Sequence, residues 1–463
     1  MRCRVPSEAP PRTHDSVHVP EQGSAHGLER YRSRLRASGS PIPVVGRVRE
    51  VVGLYVEVEG IPGRLGEVCV IAREDGPPVE AEVVGFREGR TLVMPLGDLR
   101  GLQAGAAVAS RGALFAVPVG LPLLGRVVDG LGRPIDDRGP ISASYRQPMA
   151  GAAPHVLQRR RITAPLATGV RAIDGLLTCG KGQRIGLFAG SGVGKSTALG
   201  MIARYATADV NVIALIGERG REVREFIEND LGEEGLARSV VVVSTSDEPA
   251  LLRMRAAWTA TTIAEELRDQ GLDVTLLMDS VTRFATALRE IGLAIGEPPA
   301  VKGYTPSVFA QLSRLLERAG TSEHGTITGF YTVLVESDDM TEPVTDAVRA
   351  TLDGHIVLAR ELAEQNHYPA IDVLQSVSRV MPSITTGEHQ QAAARLRELL
   401  ARYRRSRDLV SIGAYEPGSD PLLDEALGRL PAIEAFLRQS PDETGSLADT
   451  IEALHAAVRR AGI

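Results

Sequence analysis

The spacing of apolar and polar residues changes three times along this chain. Between residues 41 and 117 lie short β-rich runs: Gly46–Val52, Leu54–Val58, Glu67–Ile71, Glu80–Phe86 and Thr91–Pro95. Several alternate apolar with polar positions, and Gly, Pro or charged residues separate them. Alternation with a period of two buries one face of each run, and short strands spaced so closely predict a small antiparallel barrel. Leu124–Gly132 then predicts a strand and a glycine turn, followed by a loop through Pro154. From about Ile162 to about residue 380, apolar β-runs alternate with helical patterns, the rhythm of a parallel sheet covered by helices. Beyond residue 390 the period is helical. Leu396, Leu399, Leu400 and Tyr403 form one stripe, and Ser419-Asp420-Pro421 reads as a helix start with Asp as N-cap and Pro at the first helical position.

Residues 1–40 are rich in Pro, Ser, Gly and Arg and read as a flexible extension. Within it, Leu28, Tyr31 and Leu35 have helical spacing among Arg30, Arg32, Arg34 and Arg36. That fits either a frayed, solvated helix or a docking helix for a partner. The predicted division is an extension at 1–40, a β-barrel at 41–117, an α/β core at 118–384 and a helical domain at 385–463.

Composition narrows the class. A chain of 463 residues is too long for one ordinary core, and 43% hydrophobic with 24% charged residues describes a soluble globular protein. No apolar run approaches the ~20 residues a membrane helix needs. The N-terminus, broken by Pro6, Pro10, Pro11 and Pro20, lacks the apolar stretch of a signal peptide. Cys3, Cys69 and Cys179 are too few and too scattered for a metal cage or a disulfide framework, and read as reduced cytosolic thiols. A net charge of −6 and only 4% aromatics argue against nucleic-acid binding, which favours basic surfaces and stacking platforms.

The chemistry starts at Gly190-Ser191-Gly192-Val193-Gly194-Lys195-Ser196. The apolar run Ile185–Ala189 precedes it as a buried strand, and Lys195-Ser196-Thr197 opens a helical stretch to about Tyr205. Strand, glycine loop and helix in that order make a P-loop. Glycines let successive backbone N–H groups face phosphate oxygens, and the helix N-terminus adds partial positive charge. Lys195 would reach the β- and γ-phosphates and the Ser196 hydroxyl would hold Mg2+. The strict pattern wants Gly where Ala189 stands, which a backbone with negative φ tolerates. A Walker B element follows: Val274–Met278 is an apolar run ending in Asp279, a second Mg2+ partner delivered to the sheet edge where ligands bind. Gly217-Glu218-Arg219-Gly220-Arg221-Glu222 follows the apolar run Val212–Ile216. Hydrolysis needs a carboxylate to orient and deprotonate water. Residue 280 is Ser, so Glu218 is the candidate base, while Arg221 and Glu222 read equally well as a surface charge cluster.

These segments resemble the export ATPases of bacterial flagella and type III secretion systems, relatives of the catalytic subunit of rotary ATP synthases. The resemblance is carried by Ala189–Ser196, Gly217–Glu222, Asp279-Ser280-Val281-Thr282-Arg283-Phe284, Gly296–Tyr304, Leu352–Leu358, His367-Tyr368-Pro369-Ala370-Ile371-Asp372 and Ser376-Val377-Ser378-Arg379, and it runs from about residue 44 to about 440. It implies an α/β fold: a RecA-like P-loop ATPase core with an N-terminal β-barrel and a C-terminal helical domain. It also implies Mg2+-dependent ATP hydrolysis in a homohexamer with ATP at subunit interfaces. Carried over by position, Glu218 is the catalytic carboxylate, Arg219 and Arg283 face the γ-phosphate, Tyr368 stacks on adenine, and Arg379 is a finger reaching the neighbour's site. Non-catalytic ring subunits carry Gln at the position of Glu218. Arg407–Tyr415 with Gly418–Pro421 resembles the flagellar and type III branch more than the synthase branch. Val84-Gly85-Phe86 and Met94-Pro95-Leu96 lean towards the flagellar side. The implied partners are a stalk or regulatory protein at the N-terminal extension, export chaperones and export-gate membrane proteins, at the cytoplasmic face of the inner membrane. Two other classes compete. A hexameric RNA translocase of the transcription-termination type shares the core and a similar Asp-Ser-x-Thr-Arg segment, but would need an aromatic, basic barrel, where residues 41–117 hold only Tyr55, Phe86 and Phe115. A non-hydrolysing interaction protein would not need Lys195, Glu218, Asp279 and Arg379 together.

Overall fold

The computed structural model describes residues 45–143, 145–335 and 339–459. The helix expected around Leu28, Tyr31 and Leu35 lies outside them. Six strands form a closed barrel: β1 (Val45–Val52), β2 (Tyr55–Glu59), β3 (Glu67–Ile71), β4 (Val79–Arg87), β5 (Arg90–Pro95) and β6 (Ala107–Leu114), in the order β1-β2-β5-β4-β3-β6, with β6 closing on β1. Val48, Val56, Val58, Ile71, Val83, Val93 and Val108 fill it. Closure removes both sheet edges, so a domain this small has no exposed ladder. The five expected runs are all strands. The sixth, β6, is an addition: its residues are mostly exposed, so no apolar alternation marks it. Buried Glu82 on β4 pairs with Arg255 of the core, Arg255 Nε donating to Glu82 Oε2 at 2.8 Å, which ties barrel to core.

The core sheet is built from β7 (Val127–Asp129), β8 (Arg184–Ala189), β9 (Val210–Glu218), β10 (Ser239–Thr245), β11 (Asp273–Asp279), β12 (Thr326–Leu334), β13 (Gly354–Leu358) and β14 (Val377–Ser378). Their order is β14-β13-β8-β12-β11-β9-β10-β7. All neighbours along it are parallel except β13 and β14. Strands covered on both faces read as continuous apolar runs, as β9 does. Its one interior amide, Asn211, donates through Nδ2 to the Ala203 carbonyl at 2.9 Å and to the Ser239 hydroxyl at 3.2 Å.

Seven helices matter for the site: α1 (Lys195–Tyr205), α2 (Gly220–Glu225), α3 (Ala250–Asp269), α4 (Val281–Ala294), α5 (Gly387–Ser411), α6 (Pro421–Leu437) and α7 (Leu447–Val458). α3 and α4 cover one face of the sheet with Ala256, Ala260, Ile263, Phe284 and Leu288. α1 covers the other, and there Leu396 and Leu399 of α5, Ile433 of α6 and Leu454 of α7 join the same apolar core. The stripe read from the sequence is this contact: Leu396, Leu399 and Leu400 are buried and Tyr403 packs against them. α6 begins as expected, with Asp420 accepting from the backbone N–H groups of Leu422 and Leu423 and Pro421 in the first turn. Among the described residues no helix is long and apolar enough to cross a membrane.

Candidate active site

Four parallel strand ends converge on one point. The P-loop leaves the end of β8, where Ala189 still pairs with Leu334 of β12 and Leu358 of β13. Ala189 keeps strand backbone, so its methyl group meets no conflict. The left-handed conformation falls instead on Gly192 (φ +77°) and Gly194 (φ +86°), where L side chains are strained. Helix α1 starts directly after Gly194, and no side chain caps it. Its first-turn N–H groups are left to a ligand, and with the helix dipole they form an anion cradle. Val193 is buried beneath the loop, while Gly190 follows the strand directly and Ser191, Gly192 and Ser196 border solvent. Thr197, half-buried, follows Ser196 into the helix.

Lys195 crosses to the neighbouring strand ends. Its Nζ lies 2.6 Å from Asp279 Oδ1, at the tip of β11, and 3.4 Å from Glu218 Oε1, at the tip of β9. Burial disfavours the Lys195 ammonium, but the charges of Asp279 and Glu218 outweigh that and raise its pKa. Glu218 goes the other way: burial first, then the charge of Asp279, push its pKa up against the pull of Lys195. It also shares a hydrogen bond with Glu222. Burial alone would raise the Glu222 carboxyl, yet that bond, the Arg219 backbone N–H and the Arg219 and Arg221 charges hold it below its usual range. One carboxylate poised to take a proton beside a fixed ammonium is what a water-activating site requires.

The remaining candidates divide into three. Arg283, in the first turn of α4, lies across Gly217: a Cβ there would come within 2.9 Å of Arg283 Cγ. Glycine at 217 (φ +71°) therefore both allows the turn into Glu218 and leaves room for Arg283. Arg219 stays exposed and pairs with Glu222 at 3.2 Å. Tyr368, far away in sequence, presents its ring to the P-loop: a Cβ on Gly194 would meet Tyr368 Cδ1 at 3.4 Å. Arg379 is not brought to this site. It follows β14, which pairs with the beginning of β13, and its backbone N–H donates to the Asp353 carbonyl at 3.0 Å. The P-loop lies beyond the other end of β13, five residues further, or about 16 Å at ~3.3 Å per residue.

Three side chains at the site were given no role from the sequence, although Thr282 and Glu222 stand inside the resembling segments. Thr332, fully buried on β12 between the P-loop strand and the Walker B strand, donates to Asp279 Oδ1 at 2.7 Å. The Thr282 hydroxyl accepts from the Leu334 N–H at 2.9 Å, which pins the start of α4 to β12. Glu222 read as part of a charge cluster, and the turn into α2 folds it back onto Glu218. A threonine inside an apolar strand looks like β-propensity alone, so only strand order reveals its partner.

The donor set fits MgATP. Among the described residues no three His, Cys, Asp or Glu side chains form a cage for an ion. Magnesium does not need one, since it keeps several waters and binds through phosphates with one or two protein oxygens. The Ser196 hydroxyl and the Asp279 carboxylate are the side-chain oxygens that could play that part.

Known proteins share this architecture. Residues 169–378 match the nucleotide-binding domain of the ATP synthase alpha/beta family, 48–112 the beta-barrel domain of that family, and 385–456 the T3SS EscN ATPase C-terminal domain. The chain is 53% identical over 417 residues to a flagellum-specific ATP synthase of Bacillus subtilis, covering 88% of this chain and 94% of that protein. It is 54% identical over 410 residues to a type 3 secretion system ATPase of Xanthomonas euvesicatoria, covering 88% and 93%. The assembled ATPase EscN of the enteropathogenic E. coli type III secretion system superposes with a TM-score of 0.85 at 47% identity, over 89% of this chain and all (100%) of that one. A second EscN structure, in complex with its central stalk EscO, gives a TM-score of 0.83 at 47% identity, with the same 89% and 100% coverage. The RNA-translocase alternative finds no support, and in the barrel Tyr55 is buried, leaving Phe86 as a lone exposed ring. The chain belongs to the ATP synthase alpha/beta family, among the flagellum-specific and type 3 secretion ATPases, and is an ATP-hydrolysing P-loop enzyme.

Proposed function

We propose that this ATPase energises export of flagellar or type III secreted proteins as a homohexameric ring whose catalytic sites are completed by a neighbouring copy. The observation that carries the reading is the separation within one chain of a nearly complete site from its arginine. Lys195, Glu218, Asp279 and Tyr368 converge, while the backbone of Arg379 lies at the opposite end of the sheet. In such a ring each Arg379 would serve the next copy's phosphates. EscN is known in an assembled form and with a central stalk, which supports both the ring and a stalk partner for this chain.

In the reaction, the P-loop amides from Gly190 to Ser196, with Lys195 and Thr197, hold the triphosphate. Ser196 and Asp279 would hold magnesium, which when bound would supply neutralisation of the developing charge. Glu218 orients and deprotonates the attacking water, and Arg283, Arg219 and the neighbour's Arg379 stabilise charge at the γ-phosphate. Export chaperones and export-gate membrane proteins would be served by a ring seated peripherally at the inner membrane. Relatives from both branches match equally, 53% against 54%, so the flagellar reading rests on the barrel segments at Val84 and Met94.

A mixing experiment tests the shared site. Arg379→Ala and Glu218→Gln rings should each be nearly inactive. Co-assembled one to one, about a quarter of interfaces would combine an intact Glu218 with an intact Arg379, and activity should return. Mixed rings as inactive as their parents would overturn the in-trans finger.

A further inference from the structure

Tyr368 sits on the segment His367–Asp372, which three residues of the C-terminal helical domain grip. Gln439, just past α6, donates its backbone N–H to the Tyr368 carbonyl at 2.9 Å. Beside it, Arg438 Nε donates to His367 Nδ1 at 3.4 Å. From α5, Arg404 Nη1 reaches both oxygens of Asp372, at 2.9 and 2.8 Å. Asp372 is only 2% exposed and organises the segment after it: its oxygens accept from the backbone of Leu374 and Gln375, and its carbonyl from the Ser376 hydroxyl. A buried carboxylate holding one loop together is a leverage point, because any cation bound to it sets where the loop stands.

We propose that Arg404 is a positioning residue for nucleotide binding: through Asp372 it fixes the segment that holds the Tyr368 ring against the P-loop. The inference rests on the reading of Tyr368 as the base-stacking residue. It gives the helical domain a route to the ATP site, since α5 carries Arg404 and also the buried stripe Leu396, Leu399 and Leu400. A displacement of α5 would shift Asp372 and with it the Tyr368 ring. The chain beyond this segment is anchored elsewhere, by the Arg379 N–H on the Asp353 carbonyl and by the Ser378 hydroxyl on the Thr178 carbonyl at 2.9 Å. Loss of Arg404 should therefore affect binding of the base more than the chemical step. The contact runs through a single nitrogen, so a lysine ammonium can reproduce it.

The test compares a ligand with a base and one without. In full rings, Arg404→Met keeps the aliphatic stem and removes the cation. It should raise KM for ATP by about tenfold, the scale of a lost charge-assisted hydrogen bond, with kcat within about twofold. Inhibition by inorganic tripolyphosphate, which fills the P-loop without offering a base, should be unchanged. Arg404→Lys should restore KM, and Tyr368→Ala should reproduce the Arg404→Met pattern. Unchanged KM in Arg404→Met beside a raised KM in Tyr368→Ala overturns the role of Arg404 alone. Unchanged KM in Tyr368→Ala overturns the stacking role and the proposal with it. ATP and tripolyphosphate weakening together would mean a general disturbance of the site, and also refutes positioning. If Arg404→Met does not assemble, Asp372→Asn, the same size without the charge, carries the same comparison.

Discussion

Replacing Glu218 by Gln separates binding from chemistry more cleanly than any other change at this site. The side chain keeps its shape but can no longer accept a proton. Within the cluster, Lys195 brings one positive charge and Glu218 and Asp279 one negative charge each. The variant leaves Lys195 and Asp279 as a neutral pair at 2.6 Å. The pKa of Glu218 is raised, so burial and Asp279 together outweigh Lys195 and the ionised carboxylate is a net burden on the fold. A group with a raised folded pKa contributes most below its unfolded value, near 4.5, and loses that contribution as pH rises through the folded pKa. At neutral pH the neutral amide should therefore leave stability unchanged or slightly higher, and ATP affinity unchanged or tighter. Turnover should fall by ~10²–10⁴, or about 2.7–5.4 kcal/mol at 1.36 kcal/mol per tenfold. The assay is steady-state phosphate release with a fluorescent-nucleotide titration, both against pH. The parent's acidic limb in kcat should lie above the usual carboxylate range and be missing from the residual rate of the variant. Turnover within fivefold of the parent, or loss of nucleotide binding alongside turnover, would refute the role of Glu218 as base.

Other changes probe the same framework. Thr332→Val preserves volume but removes the 2.7 Å bond to Asp279; chemical denaturation should show a loss of about 1–3 kcal/mol, and kcat should fall with it, whereas full activity would make the bond purely structural. Gly194→Ala places a methyl group at φ +86° and 3.4 Å from Tyr368, so ATP KM should rise, at a cost of about 1–2 kcal/mol in stability by melting. Burial, with Arg438 and Arg404, pushes His367 down to about 4 from 6.5. Its folded state rejects the proton, so its contribution is intact above about pH 6.5 and lost progressively towards pH 4, at most about 3 kcal/mol. The Tm of His367→Gln should accordingly lose less than that of the parent between those pH values, and parallel curves would contradict the burial argument.

Local chemistry was enough for much of this molecule. The P-loop is legible because strand, glycines, Lys195 and helix are contiguous and its backbone geometry is set by φ at Gly192 and Gly194. The Walker B carboxylate, the Asp420-Pro421 cap and five barrel strands are equally local, each written by periodicity or by a residue's own conformational preference. Strand β6 escaped because its residues face water and its place is decided by pairing with β1 and β3. Thr332 and Arg404 escaped, and the roles of Thr282 and Glu222 went unread, for a related reason: their partners lie on neighbouring strands, across a turn or on a helix of another domain. Strand order made β12 the neighbour of both β8 and β11, and so gave Asp279 its hydroxyl. The same order put Tyr368 beside its own P-loop and Arg379 at the far end of the sheet, although eleven positions separate them in sequence. Spacing along the chain fixes which side chains a segment carries, but the direction of the strand it borders decides which site each one serves.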